Sequence, residues 1–194
     1  RYLPLIGPAG RWARGEDGKP VFAIWPSVVR KMIDASGRVR QGDGFRRKRW
    51  FLGSMADLFH PGRPAEDVQV VLGALTANLH RPIWQLVTKH PARAVEMLEL
   101  QAADTVRSLD TTIQWLREHG EDVKRYGFNR PTRWLLTSVE NDEWAKRRVP
   151  EVIKARPFVD MIGLSAEPLL GPINLRPWLP KLDWVIVVGE SGTG

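Results

Sequence analysis

The 194 residues are 43% hydrophobic and 26% charged, an ordinary globular composition with room for one domain and a substantial core, which excludes a chain disordered throughout. A formal net charge of +7 and a pI near 10.1 admit nucleic acid or a phosphorylated ligand as partner, although Arg and Lys are spread along the chain. With no cysteine present, disulfides and any thiolate-held metal or iron–sulfur cluster are excluded within these residues.

Residues 1–49 read as a loop-rich segment with one short helix. Pro4, Gly7, Pro8, Gly10, Gly15, Gly18 and Pro20 give the first stretch turn chemistry. Val28 to Ile33 suits a short helix capped by Ser27, and Gly37 to Gly44 reads as another loop. Arg46-Arg47-Lys48-Arg49 is the one dense basic cluster, read as a solvated loop leading into a strand.

Residues 50–194 alternate between strand and helix patterns. Trp50 to Gly53 is the first strand, and the chain turns at Ser54 to Asp57. Val68, Val71, Leu72, Leu75 and Leu79 recur at spacings of three and four, which predicts an amphipathic helix over 65–79. Ile83 to Val87 forms the next strand, and 92–118 a long helix ended by Gly120. Trp134 to Val139 is a strand, Asp142 to Ala155 a helix capped by Asn141, and Val159 to Ser165 a strand. Trp184 to Val188 is the last strand, after the proline-rich Leu175 to Leu182. Such βα repetition predicts an α/β fold built on a parallel sheet, an open sheet or a partial TIM-like barrel, since a closed barrel typically takes about 250 residues. Trp50, Trp84, Trp134 and Trp184 all fall near strand starts, which suggests a packing layer there rather than base-stacking platforms.

Polar residues gather where the apolar runs stop, and folds of this class build ligand sites at strand carboxyl ends. Asp57 and His60, three apart, would share a face if the chain made a helical turn there, as an acid–base pair or a grip on a ligand's amine; a turn-capping Asp57 beside a packed His60 is the plainer alternative. Thr88 and Lys89 suit a carboxylate or phosphate. Glu140 can accept from ribose hydroxyls, and Asn141 can bond a base edge or cap the following helix. Glu167 follows the apolar Met161, Ile162 and Leu164 and precedes Pro168. A carboxylate so placed needs a cationic or hydrogen-bonding ligand, or an ion pair with an arginine. Glu190 and Ser191, in Gly189-Glu190-Ser191-Gly192, could line the same mouth. The four histidines show no helical ligand spacing, and no metal site is expected.

Five strings occur in a recognisable order: Ser54-Met55-Ala56-Asp57-Leu58-Phe59-His60, then Thr88-Lys89, then Ser138-Val139-Glu140-Asn141, then Glu167 to Ile173, then Leu182 to Val187 followed by Gly189-Glu190-Ser191-Gly192. This set, from about Trp50 to Gly194, resembles the phage-associated, three-cysteine family of radical-SAM-like proteins of unknown function. The resemblance implies a partial TIM barrel, incomplete at both ends here, with an iron–sulfur cluster on a cysteine triad preceding these motifs. It also implies a pocket for S-adenosylmethionine formed by Ser54, Asp57, His60, Thr88, Lys89, Ser138, Glu140, Asn141, Glu167, Glu190 and Ser191. The sequence departs from the family at Val188, where glycine is usual, at His90, where arginine is usual, and in its missing triad.

The chain therefore reads as a fragment of a radical-SAM-like protein, beginning at Arg1 without Met and stopping in a glycine-rich turn. Cytoplasmic location is the default, because no apolar stretch approaches the roughly 20 residues of a membrane span. The substrate and catalytic residues are unknown. The competing expectation is a degenerate barrel that binds nucleic acid or a protein partner without catalysis. A third, metal-independent chemistry on a phosphorylated small molecule through Lys89 and the Gly189 to Gly192 turn, rests on analogy with barrels.

Overall fold

The computed structural model describes residues 24–41, 43–52 and 57–189. Their elements are α1 (Pro26–Asp34), β1 (Arg38–Gln41), β2 (Gly44–Arg47), β3 (Arg49–Leu52), α2 (Ala65–Ala77), β4 (Ile83–Thr88), α3 (Pro91–Ala103), α4 (Thr105–Glu118), β5 (Thr132–Ser138), α5 (Asp142–Ile153), β6 (Met161–Leu169) and β7 (Trp184–Gly189).

Strands β3 to β7 form one parallel sheet in strictly sequential order. Parallel neighbours need long crossovers, and α2, the α3–α4 pair and α5 supply three of them. Right-handed crossovers in sequential order stack their helices on one face; accordingly α2 packs on α4 and α3 on α5. Along β4 the covered face buries Trp84, Leu86 and Thr88, while Ile83, Gln85 and Val87 stay half-buried on the other. Leu72, Leu75, Leu98, Leu116, Leu135, Ile162 and Leu164 fill the layer between sheet and helices, joined by Val29 and Ile33 of α1. Each such aliphatic side chain contributes about 1.5–3 kcal/mol relative to exposure. The expected α/β sheet flanked by helices is present.

The strand-start tryptophans form two pairs on opposite faces. Trp50 and Trp84 are register partners on the covered face, whereas Trp134 and Trp184 meet edge to face at 5.6 Å between ring centroids on the other.

Several local expectations are corrected. The presumed loop 37–44 and the basic loop after it are a two-stranded antiparallel ribbon, β1–β2, with Arg38 opposite Arg47 and Arg40 opposite Phe45. Lys48 N–H donates to Gly37 O at 2.9 Å and closes its base. Helix α1 starts at Pro26, so Ser27 lies inside it and does not cap it. The long helix over 92–118 is broken at Asp104, whose carboxylate accepts from Arg107 N–H at 2.9 Å and caps α4. Residues 57–63 form turns rather than a helical turn. Strand β6 continues past Ser165 to Leu169, with irregular pairing between Ala166 and Leu169 and a cis peptide before Pro168, so Glu167 stands within the strand's last residues.

Candidate functional site

Sequential parallel order brings the carboxyl ends of β3 to β6 side by side, and the polar residues there interlock. Asp57, in the turn after β3, accepts from Phe59 N–H at 3.0 Å and from the Thr88 hydroxyl at 2.7 Å through Oδ1, and from Lys89 N–H at 2.7 Å through Oδ2. The Thr88 hydroxyl in turn accepts from His90 N–H at 2.9 Å. One carboxylate thus fixes both the turn that follows β3 and the turn between β4 and α3.

The Lys89 side chain extends to the next strand end, with Nζ 2.7 Å from Glu140 Oε1. Glu140 is only 8% exposed, and its other oxygen accepts from Arg148 Nη1 at 2.9 Å. Arg148 reaches out of α5, also donates to Ser138 O at 2.8 Å, and carries its guanidinium 4.0 Å above the Trp144 ring. Burial alone would raise the Glu140 pKa, but the Lys89 hydrogen bond and the Arg148 and Lys89 charges outweigh it and hold the carboxyl below its ordinary range. Leu170 N–H donates to Glu140 O at 2.8 Å, and Asn174 N–H to Asp142 at 3.0 Å. The proline-framed turn after β6 is thereby folded against the start of α5.

On the β3 side, the His60 and His90 rings meet edge to face at 5.1 Å. His60 Nδ1 accepts from Gly62 N–H at 3.0 Å. Burial lowers the His90 pKa; Asp57 opposes this, while His60, Arg148 and Arg93 add to it. Arg63 is 7% exposed beside them, with Asp67 at 3.8 Å, and Arg93 donates to Arg63 O at 2.9 Å.

Among the expected residues, Asp57, Thr88, Lys89 and Glu140 join one continuous network. Ser138 contributes its carbonyl, and Asn141 caps α5 by accepting from Trp144 N–H at 3.1 Å. Glu167 is exposed at the end of β6 and has no hydrogen bond or ion pair among the described residues. Ser54, Glu190 and Ser191 lie outside the described residues. Arg148, Arg63 and His90 were not singled out as site residues from sequence. Arg148 was legible: it lies three residues after Ala145 and four before Val152, on the buried stripe of α5.

The network places two cations on one carboxylate, and among the described residues the neighbouring Glu167 carboxylate is unpaired, an arrangement suited to a ligand that carries charges of both signs. The model of a family described as protein of unknown function (DUF5131) matches residues 11–194. No curated protein and no solved structure matches the chain.

Proposed function

The chain belongs to that family of unknown function, and we propose that it is part of a phage-associated, radical-SAM-like protein whose strand carboxyl ends, on a partial barrel, hold S-adenosylmethionine beside a substrate. The observation that carries this reading is Glu167, a carboxylate that is exposed and unpaired among the described residues, one strand away from the Lys89–Glu140–Arg148 network. S-adenosylmethionine bears a sulfonium and an ammonium, which Glu167 can attract, and a carboxylate, which Lys89 can take while it keeps Glu140. Its hydroxyls and ring nitrogens find partners in Ser138 and the free amide of Asn141.

An iron–sulfur cluster is not supported by the residues present: thiolates are its ligands, and the sequence contains no cysteine. No radical step is therefore assigned to these residues. Their part is to bind and orient a nucleoside-bearing zwitterion.

Titration calorimetry of the chain with S-adenosylmethionine tests the reading. Binding that weakens about ten-fold or more in Glu167→Gln supports it, by loss of one charge-assisted contact. No heat of binding in the unsubstituted chain refutes it. The second reading, a non-catalytic module that binds nucleic acid or a protein partner, draws on a different surface, the basic ribbon at the opposite edge of the sheet.

A further inference from the structure

Between Gly37 and Trp50 stand six Lys and Arg residues against one acid, Asp43, which accounts for most of the net charge of the whole chain. None of these cations forms an ion pair among the described residues. Folding into a ribbon sorts them. Residues opposite each other in an antiparallel pair share a face, and residues two apart share it too. The register therefore sets Arg38, Arg40, Arg47 and Phe45 on one face and Val39, Gln41 and Arg46 on the other. Phe45, directly opposite Arg40, is 73% exposed.

The Arg–Phe face is held in place. Arg47 donates to the Arg81 and Pro82 carbonyls and to the Thr132 hydroxyl, the last at 2.8 Å, which ties the ribbon to the amino-terminal edge of the main sheet. A cavity of about 700 Å³ opens there between Arg38, Arg47, His80 and Arg81. A second hollow of about 730 Å³ shares the Leu79 and His80 wall but is of mixed charge, Asp34 and Asp122 standing beside Arg30 and Lys124. Cations without acidic neighbours among the described residues thus run from the ribbon to Arg81 at the foot of the sheet, with an exposed aromatic ring at one end.

We infer that this face binds single-stranded nucleic acid, with the guanidinium groups on phosphates and Phe45 stacked on a base. Arginine predominates over lysine in the ribbon, and its planar fork matches phosphate oxygens. An exposed phenylalanine among arginines has no use for a phosphate but offers a base its face, and stacking of this kind requires an unpaired base. An anionic membrane would want cations without the fixed ring; a duplex would present phosphates but no free base. The inference does not depend on the S-adenosylmethionine reading, since the two surfaces lie at opposite edges of the sheet.

The test is fluorescence anisotropy of a labelled oligothymidine strand with the chain, across a salt series. Binding should weaken linearly on a log–log plot, the slope falling by about 0.7 for each phosphate contact removed. Arg38→Ala with Arg40→Ala should lower that slope. Phe45→Ala should cost about ten-fold in affinity, and Phe45→Trp should retain it. Arg47 is left intact because it anchors the ribbon, and circular dichroism checks that the exposed-site variants fold. Glu167→Gln should bind the strand as the parent does. Absence of binding at low salt, unchanged affinity in the ribbon variants, or preference for a duplex or for phosphatidylserine vesicles over the single strand would each overturn the inference.

Discussion

Arg148 donates to Glu140 Oε2 at 2.9 Å from the middle of α5, with both side chains about 10% exposed. Their pairing, with the Arg148 bond to Ser138 O, ties the end of β5 to the helix that follows it. Removing Glu140 would leave Arg148 buried without its carboxylate and Lys89 without its partner. Glu140→Ala should therefore lower unfolding stability by about 3 kcal/mol in urea titration. In an Arg148→Met background the same substitution should cost distinctly less, because no buried charge is then orphaned. Equal costs in both backgrounds would refute the coupling.

His90 sets an acid limit on the fold. Its pKa is lowered in the folded state, chiefly by burial, so the unfolded chain takes up its proton first as pH falls. Stability from this group is complete above its unfolded value of 6.5, and declines as pH drops from there through the lower folded value. Glu140 acts in the same direction at lower pH, its depressed pKa adding stability that fades through the acid carboxylate range. Thermal unfolding between pH 7 and about pH 5 should show the first decline, and His90→Asn should flatten it while leaving the lower one. A profile unchanged by the substitution would assign the decline elsewhere.

The strands and their polar ends were legible because buried parallel strands write themselves as unbroken apolar runs, and the order of those runs is also the order of the strands in space. Asn141 was legible as a cap, since a short polar side chain preceding Asp142 and Glu143 has one evident use. The β1–β2 ribbon was not legible as strands. Its alternation is of arginine with valine and glutamine, with no apolar face, so periodicity gave no signal. The one clue was the Gly42-Asp43 dipeptide between Gln41 and Gly44, a pair of the type that joins two strands in a tight hairpin. The network around Glu140 was half legible: the carboxylate stood out at its strand end, while in the run Lys146-Arg147-Arg148, where two residues face solvent and one does not, only the spacing from Ala145 and Val152 marks the buried arginine. Glu167 was expected beyond its strand, yet β6 carries through it, because strand pairing with β7 resumes at Leu169 after the irregular stretch.

Helices α2 and α4 approach so closely at Gly73 that a Cβ there would lie 2.1 Å from Thr112 Oγ1 and 2.3 Å from Ser108 O. Alanine is the better helix former by about 1 kcal/mol, but a backbone carbonyl cannot step aside as a flexible side chain can. Forcing the helices apart in a packed layer costs about 1–3 kcal/mol or more. The clash should win, and Gly73→Ala should lower the melting temperature by several degrees. A rise in melting temperature would mean that the two helices slide apart at little cost.

Arg133 presents the opposite case, a buried charge whose removal should help. It is 7% exposed at the start of β5, its Nε has no hydrogen-bond partner, and one guanidinium nitrogen is bonded to Gln101 Oε1. Among the described residues its side chain has no carboxylate at ion-pair distance: Asp160 accepts from the Arg133 backbone N–H at 2.8 Å and pairs with Arg130 instead. Burial brings its pKa down to about 10, so the group remains charged at neutral pH and the fold bears the cost of hiding it. That cost is of the order of 3 kcal/mol, by the worth of each pKa unit. Arg133→Met keeps the apolar stem and removes the charged end; Gln101 Oε1 loses its donor, while Gln101 Nε2 keeps its bonds to Leu72 O and Thr76 Oγ1. Since apolar replacement of a poorly compensated buried charge is often neutral or stabilising, the variant should unfold at the same urea concentration as the parent or higher. A loss of more than about 2 kcal/mol would show that the guanidinium repays its burial through an interaction stronger than its bond to Gln101.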